Sequence, residues 1–270
     1  MEYQVGERLL RAVVSLSFKT TQVLEDLEFE IYNTLGYGQI VALLGPSGIG
    51  KTQLFRCIAG LQVPTEGGIY INNHTEPVRQ GEVGVVAQDY PLIESRTVLG
   101  NLVRAFEVSK KDVVGGKTGE KIAMEYLERF GLTRVVKNYP SQLSGGQRQR
   151  VAIIQQMMCS KHFLLMDEPF ANLDILGKER ARILITEMAN AHELNTIIVT
   201  THDIRMACAT ADRVILLGRD HDEAGNVTSG ARVVGDYDLK ALDLCWIPGV
   251  TETQKFADFV KAIEGQFASL

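Results

Sequence analysis

Residues 45–52 form a glycine-rich loop of the pattern G-x-x-x-x-G-K-[ST], between an apolar run at 40–44 and a stretch of helical period at 51–61. Glycines let a backbone turn tightly and bring its N–H groups close to phosphate oxygens, and the positive end of the following helix attracts the same anion. The loop therefore predicts a nucleotide phosphate site, with Lys51 on the β- and γ-phosphates and Thr52 as a ligand of Mg²⁺. Its residues are Gly45, Pro46, Ser47, Gly48, Ile49, Gly50, Lys51 and Thr52.

Short apolar runs alternate with longer segments of helical period along most of the chain. Runs this uniformly apolar are typical of strands in a parallel sheet that is covered on both faces. Earlier segments at 13–18 and 27–31 alternate between apolar and polar residues, which predicts an antiparallel edge layer. We therefore predict an α/β fold with a largely parallel sheet. The candidate strands of that sheet are 40–44, 83–87, 163–166, 196–200 and 214–217.

The same periodicity predicts how the chain is divided. Residues 1–235 are expected to form one domain, and the helical period at about 89–160 predicts a helical insertion within it. Residues 236–270 are expected to form a C-terminal tail. One helical face of this tail is apolar, while its polar face carries charges of both signs, which favours a packed helix over one on a membrane surface. The apolar face consists of Phe256, Phe259, Val260, Ile263 and Phe267.

Composition excludes several classes of protein. The chain has 270 residues, of which 45% are hydrophobic and 23% are charged, as in ordinary globular proteins. Its apolar runs are far shorter than the roughly 18 to 20 residues that span a bilayer. The net charge of -5 argues against general nucleic-acid binding, so nucleic acid is not expected as a partner. The first residues lack the pattern of a signal peptide, which predicts a cytoplasmic protein.

Two carboxylates follow the apolar run at 163–166. A carboxylate is costly inside an apolar sheet, so Asp167 and Glu168 are expected at the carboxyl end of their strand, where ligands bind in open α/β sheets. Asp167 is predicted to hold Mg²⁺ through water, and Glu168 to orient a water for attack on the γ-phosphate. The alternative is a strand that ends in a solvated acidic turn. The phosphate loop upstream favours the catalytic interpretation.

A second anion-binding pattern follows Leu143 and precedes a helical stretch at 148–158. A serine hydroxyl can cap the helix there, and two glycines leave backbone N–H groups accessible. The pattern consists of Ser144, Gly145, Gly146 and Gln147. The chain thus has two candidate γ-phosphate sites but one nucleotide loop. With these motifs the sequence resembles the ATP-binding cassette (ABC) ATPases, whose signature is LSGGQ, over about residues 12–218.

The resemblance implies a P-loop NTPase core and a dimer. In this family two cassettes pair head to tail, so the signature of one subunit closes over the ATP of the other. Gln88 matches the Q-loop glutamine, which contacts Mg²⁺ and the attacking water, and Asp174 ends the D-loop. His202 matches the switch histidine that contacts the γ-phosphate. Phe18 lies where an aromatic stacks on adenine, although a core phenylalanine is the alternative.

The resemblance further implies the ATPase subunit of a membrane transporter, whose cassettes drive separate permease subunits. Residues 139–142 resemble those of importers, which implies an extracytoplasmic substrate-binding protein and a location at the cytoplasmic face of the membrane. The segments 88–92 and 97–101 look like those of cassettes for nitrate, sulfonate or taurine uptake. A permease helix is expected in a groove beside Gln88, facing Leu92, Ile93 and Tyr90.

Two other functions are weighed against transport. Soluble ABC ATPases act in DNA repair, chromosome organisation or translation, but they carry a long coiled coil, zinc modules or two cassettes, none of which this sequence shows. A regulatory subunit without turnover is disfavoured because Glu168 and His202 are both present.

Overall fold

A computed structural model describes residues 6–33, 37–86, 91–108, 118–159, 163–191, 195–221, 227–268 and 270. The chain divides into two compact units. The first unit consists of Met1–Gln80 and Leu165–Leu270, and the second of Gly81–Leu164. Among the described residues, no helix is both long and apolar enough to cross a bilayer.

Most of the described strands belong to the first unit, in two separate sheets. They are β1 (Arg8–Phe18), β2 (Thr21–Tyr32), β3 (Gln39–Leu44), β4 (Glu66–Ile71), β7 (Thr196–Thr201), β8 (Arg213–Gly218) and β9 (Arg232–Asp238). β5 (Gly84–Val86) lies in the second unit, and β6 (Phe163–Asp167) crosses the boundary between the units at Leu165. The order β6-β7-β3-β8-β9 places β3 parallel to both β7 and β8, with β9 antiparallel at the edge. Every residue of β3 and β7 is buried. The predicted largely parallel sheet is confirmed.

A separate antiparallel sheet has the order β2-β1-β4. Ala12 pairs with Phe29 on one side and with Ile69 on the other. Burial alternates along β1, so one face of this sheet packs inward. The antiparallel layer predicted from the alternating pattern is confirmed, and β4 is a third strand that the sequence analysis did not predict.

The described part of the first unit has four α-helices: α1 (Lys51–Ile58), α5 (Ile175–Ala189), α6 (Ile204–Thr210) and α7 (Gln254–Phe267). α1 is shorter than the predicted 51–61, because Gly60 has φ +68° and a left-handed glycine ends a helix. An aspartate immediately before the helix caps the N-terminus of both α5 and α6. Asp174 accepts a hydrogen bond from the Gly177 N–H at 2.6 Å, and Asp203 accepts one from the Met206 N–H at 3.0 Å.

α7 is the packed amphipathic helix expected near the C-terminus. Phe256, Val260 and Ile263 are buried, and α7 packs on α6. The Arg205 guanidinium of α6 lies 5.7 Å from the centre of the Phe256 ring, a cation–π contact. The sequence predicts that a C-terminal tail starts at residue 236, and β9 (Arg232–Asp238) extends across this position. The predicted domain boundary remains a prediction.

The second unit is mainly helical, with α2 (Val98–Val108), α3 (Gly119–Arg129) and α4 (Gly145–Cys159). α2 packs on both α3 and α4. The fully buried Asn101 fixes the turn before α2, since its amide donates to the Ile93 carbonyl and accepts from the Ile93 N–H. One sequence expectation is wrong here: Leu92 is buried, so its apolar side chain packs within this unit rather than facing a partner. Ile93 is 41% exposed.

Candidate functional site

The glycine-rich loop joins the buried strand β3 to α1. Gly45 is closely packed, because a Cβ there would lie 3.0 Å from Ile49 Cγ2 and 3.0 Å from the Leu217 carbonyl oxygen. Gly50 has φ +115°, a conformation that side chains rarely allow, and it stands immediately before α1. The first N–H groups of a helix have no carbonyl partner within it. The loop therefore directs backbone donors and a helix N-terminus toward an anion.

Lys51 is held against this loop. Its side chain is buried, and its Nζ donates to the carbonyl oxygens of Gly45 at 2.7 Å and Pro46 at 3.1 Å. The same Nζ lies 3.5 Å from Glu168 Oε1. Burial lowers the pKa of Lys51, and the neighbouring Glu168 carboxylate opposes that effect. The result is a fixed cation where the loop would receive a phosphate.

Asp167 and Glu168 lie at the carboxyl end of β6, as the sequence predicts. The Thr200 hydroxyl of β7 donates a hydrogen bond to Asp167, and the Glu168 N–H donates to the Thr200 carbonyl oxygen at 2.9 Å. Glu168 has φ +48°, and such backbone strain clusters at functional sites. Sequence analysis missed Thr200, although a polar residue within an apolar strand is a signal that could have indicated it.

Glu168 also contacts the predicted switch histidine. Its Oε2 lies 3.0 Å from His202 Nδ1, while its Oε1 faces Lys51. The fold thus brings together three residues that are far apart in sequence. The His202 side chain is half exposed, so its ring remains accessible from solvent. A carboxylate held between an imidazole and an ammonium group beside a phosphate loop can orient a water and accept its proton.

The donors near the loop fit Mg²⁺. Thr52 lies in the first turn of α1 and is exposed, and Asp167 is half-buried at the strand end. A hydroxyl and a carboxylate are hard oxygen ligands, and Mg²⁺ is commonly bound by one or two such groups together with phosphates and waters. Either residue is therefore suited to hold the ion.

The remaining predicted residues are placed as follows. Phe18 ends β1 and is 43% exposed, which does not fit a core phenylalanine and leaves its ring available for stacking. Gln88 lies outside the described residues. In the second unit, Ser144 and Gln147 form a capping box at the start of α4, with N–H to side-chain distances of 3.0 and 3.4 Å. Gly145 and Gly146 are exposed there.

Comparison with known proteins decides the family. A family model described as "ABC transporter" matches residues 25–171, more than half of the chain. The chain belongs to the ABC transporter family.

Relatives and solved structures extend this result. Sulfate/thiosulfate import ATP-binding protein CysA 2 of Rhizobium meliloti is 38% identical over 200 residues, which are 73% of this chain and 53% of the relative. This ABC chain thus spans about half the length of that relative. The dimeric, post-hydrolysis structure of the ATP-binding cassette MJ0796, bound to ADP and Pi, has a TM-score of 0.61 and 28% identity, covering 86% of this chain and 99% of that one. CbiO1 of Clostridium perfringens, part of the cbiONQ transporter complex, has a TM-score of 0.69 and 24% identity. The match covers 91% of this chain and 98% of CbiO1, which shows that the two share a fold.

The structure of this ABC chain also shows a contact that the sequence analysis missed. Lys178 Nζ of α5 lies 2.5 Å from Asp203 Oδ2, next to His202. Burial raises the pKa of Asp203, but hydrogen bonds from Lys178 and the Met206 N–H and the Lys178 charge outweigh it, so the pKa is below its ordinary value. The pair joins the helix after Asp174 to the helix after His202. An aspartate directly before a helical run is an N-cap pattern that could have indicated this residue.

Proposed function

We propose that this chain binds and hydrolyses ATP as the nucleotide-binding subunit of an ABC importer. The observation that carries the proposal is the position of Glu168, 3.5 Å from Lys51 Nζ and 3.0 Å from His202 Nδ1. A nucleotide phosphate on the loop would meet a fixed cation, a base and an imidazole at one place. These groups suit the transfer of a γ-phosphoryl group to water.

Each residue has a role in this reaction. Lys51 and the loop N–H groups bind the phosphates and offset their charge. Glu168 orients the attacking water and accepts its proton on a carboxylate oxygen. His202 holds Glu168 through Nδ1 and offers its other ring nitrogen to the γ-phosphate. Mg²⁺, held by Thr52 and Asp167 and contacted by Gln88, would supply charge neutralisation at the phosphate oxygens.

The proposed active form is a dimer of cassettes. The signature residues 144–147 and Asp174 would complete the ATP site of a second cassette, either an identical copy or a paralogue. Support comes from the MJ0796 cassette, which is dimeric and bound to ADP and Pi in its solved structure. Phe18 would stack on the adenine of the ATP held by its own chain.

Import is proposed from the relatives, since CysA 2 is named as a sulfate/thiosulfate import protein. The partners would be transmembrane permease subunits and an extracytoplasmic binding protein, with this chain at the cytoplasmic face of the membrane. Sulfate and thiosulfate share an oxyanion character with the nitrate and sulfonates indicated by sequence resemblance. We therefore propose a small oxyanion as the transported substrate. Co-purification from gently solubilised membranes, followed by mass spectrometry, identifies the permease.

A nucleotide-binding assay tests the loop assignment. Lys51→Ala should weaken ATP binding by about a hundredfold or more and abolish hydrolysis, because the buried cation is lost. Lys121→Ala, on the helix α3 of the second unit, is the matched control and should bind ATP normally. Unchanged ATP affinity in Lys51→Ala would contradict the proposal.

A further inference from the structure

A lysine on α5 reaches across to α6, outside the set of residues that the proposed reaction uses. Lys178 Nζ lies 2.5 Å from Asp203 Oδ2, and the two side chains are 33% and 20% exposed. The Lys178 N–H donates to the Asp174 carbonyl oxygen at 2.9 Å, so the lysine belongs to the capped first turn of α5. A partly buried ion pair is screened less than one between exposed side chains, and this one has a fixed helix at each end.

Asp203 uses its two carboxylate oxygens for different helices. Oδ1 accepts from the Met206 N–H at 3.0 Å and caps α6, while Oδ2 accepts from Lys178 of α5. The Asp203 N–H donates to the Thr201 hydroxyl at 3.1 Å, which ties the same residue to the end of β7. The cap of α6 requires Oδ1 alone. The ion pair through Oδ2 therefore adds something that the start of the helix does not need, namely a link from Asp203 to α5.

His202 lies between Thr201 and Asp203, so its backbone is held by the contacts of its two neighbours. The His202 side chain is 51% exposed, and packing therefore does little to fix the ring. Its Nδ1 nevertheless lies 3.0 Å from Glu168 Oε2. An ionised carboxylate can only accept a hydrogen bond, so Nδ1 carries a proton in this contact. A ring with so little packing keeps this contact only if its backbone is held in place.

We propose that Lys178 is a positioning residue for His202. By holding Asp203 against α5, Lys178 fixes the backbone from which the histidine ring reaches Glu168. Small displacements of a group that orients a reactant lower the rate of a reaction steeply. The expected effect on ATP turnover rests on the proposed function, whereas the expected effect on the ring does not. If the pair merely joined α5 to α6, its loss would change stability and leave the ring and the turnover as they are.

The proton on the His202 ring tests the positioning role without any nucleotide. Long-range ¹H–¹⁵N spectra of the full chain at about pH 8 resolve the ring nitrogens of its five histidines, and His202→Gln assigns the signals of His202. In the unchanged chain we expect the form with the proton on Nδ1 to predominate. In Lys178→Met, which keeps the length of the side chain and removes its charge, that form should fall about twofold or more, because a released ring exchanges between its two tautomers.

Three further variants separate this role from a general loss of stability. Lys178→Arg restores the positive charge and should largely restore the spectrum of the unchanged chain. Asp203→Asn should act like Lys178→Met, since asparagine caps a helix as well as aspartate does but lacks the charge. Arg182→Gln is the matched control: it removes an ion pair of α5 with Glu179 of the same helix, and the His202 signals should not change.

Steady-state kinetics give the second readout. Lys178→Met should lower kcat for ATP hydrolysis about fivefold or more and change KM by less than twofold, because the phosphate loop is untouched. The double variant Lys178→Met/Asp203→Asn should be no slower than either single variant, since both remove the same contact. Arg182→Gln should keep both constants.

The two readouts have distinct outcomes. An unchanged His202 spectrum in Lys178→Met and in Asp203→Asn would overturn the proposal, as would equal changes in the Arg182→Gln control. If Lys178→Met does not fold, as judged by circular dichroism, Asp203→Asn decides through the same spectrum. A released ring in a chain that hydrolyses no ATP even when unchanged would support the positioning role and count against the proposed function instead.

Discussion

Glu168 combines an unfavourable backbone conformation with two side-chain contacts. Its φ of +48° is uncommon outside glycine, yet its N–H is fixed by the Thr200 carbonyl and its carboxylate by Lys51 and His202. Strain of this kind, about 1 to 3 kcal/mol, persists only where surrounding contacts determine the conformation. These contacts aim the carboxylate at the mouth of the phosphate loop rather than into solvent.

Asp203 gives a prediction at the same scale. Asp203→Ala should lower the free energy of unfolding at pH 7 by about 1 to 2 kcal/mol, because it removes the cap of α6 and the partner of Lys178. The pKa of Asp203 is lowered in the folded chain, so its stabilisation is present above the ordinary value of about 4 and is lost as the pH falls through the folded pKa.

Urea unfolding at several pH values checks this prediction. The difference between Asp203→Ala and the unchanged chain should be constant near neutral pH and shrink below about pH 4. Asp220→Ala is the control, since its ion pair with Arg232 is half exposed and should contribute little. A difference in the free energy of unfolding that grows as the pH falls would contradict the prediction.

Secondary structure elements differ in how far the sequence predicts them. β3 and β7 are buried along their whole length, so an apolar run was sufficient to predict them. β4 contains Gly67 and Gly68, and β9 is an edge strand in which exposed and half-buried residues alternate. Neither has the apolar run that marks a central strand, and both are fixed by pairing with a neighbour.

The candidate site shows the same limit. The acid at the end of β6 and the histidine after β7 were predictable from their own segments. The contact between them was not predictable in this way, because it requires β6 and β7 to be neighbours in the sheet. The hydrophobic pattern of a single segment does not specify which strands are neighbours. The roles of Asp174 and Gln88 came from family resemblance alone. The Lys178–Asp203 pair joins two helices: an N-cap pattern could indicate Asp203 from its own segment, but nothing in either segment indicates that Lys178 is its partner.

The packing of α7 is testable at the scale of the element. Phe256→Ala should lower the free energy of unfolding by about 3 to 5 kcal/mol, because the ring is fully buried and contacts Arg205. Phe259→Ala, which removes a half-buried ring that packs edge-on against Tyr237 at 5.6 Å, should cost clearly less. Thermal or urea unfolding compares the two. Equal costs would indicate that α7 does not pack on α6 through Phe256.

The whole molecule is built from two units that carry different parts of the proposed machinery. The first holds the phosphate loop, Asp167, Glu168 and His202, and the second holds the signature at 144–147. One chain therefore offers one phosphate loop and one signature. The proposed dimer, with two composite sites in a closed two-fold arrangement, would use both.

Mixed dimers test the composite sites. A Ser144→Arg chain has an intact loop, and a Lys51→Ala chain has an intact signature. An equimolar mixture should regain measurable hydrolysis, since pairing the two variants leaves one complete site of two, whereas each variant alone should be inactive. Activity that does not rise on mixing would contradict sites shared between chains. ATPase assays of the mixture and of each variant provide the comparison.

The most direct test of the central claim is the oligomeric state of Glu168→Gln with ATP, followed by sedimentation together with phosphate release. Glutamine preserves the side-chain shape but cannot accept a proton, so binding should continue while hydrolysis stops. We expect an ATP-bound dimer to accumulate, with phosphate release lowered by about a hundredfold or more. A monomer that turns over ATP at the normal rate would show that neither Glu168 nor dimer closure serves the reaction.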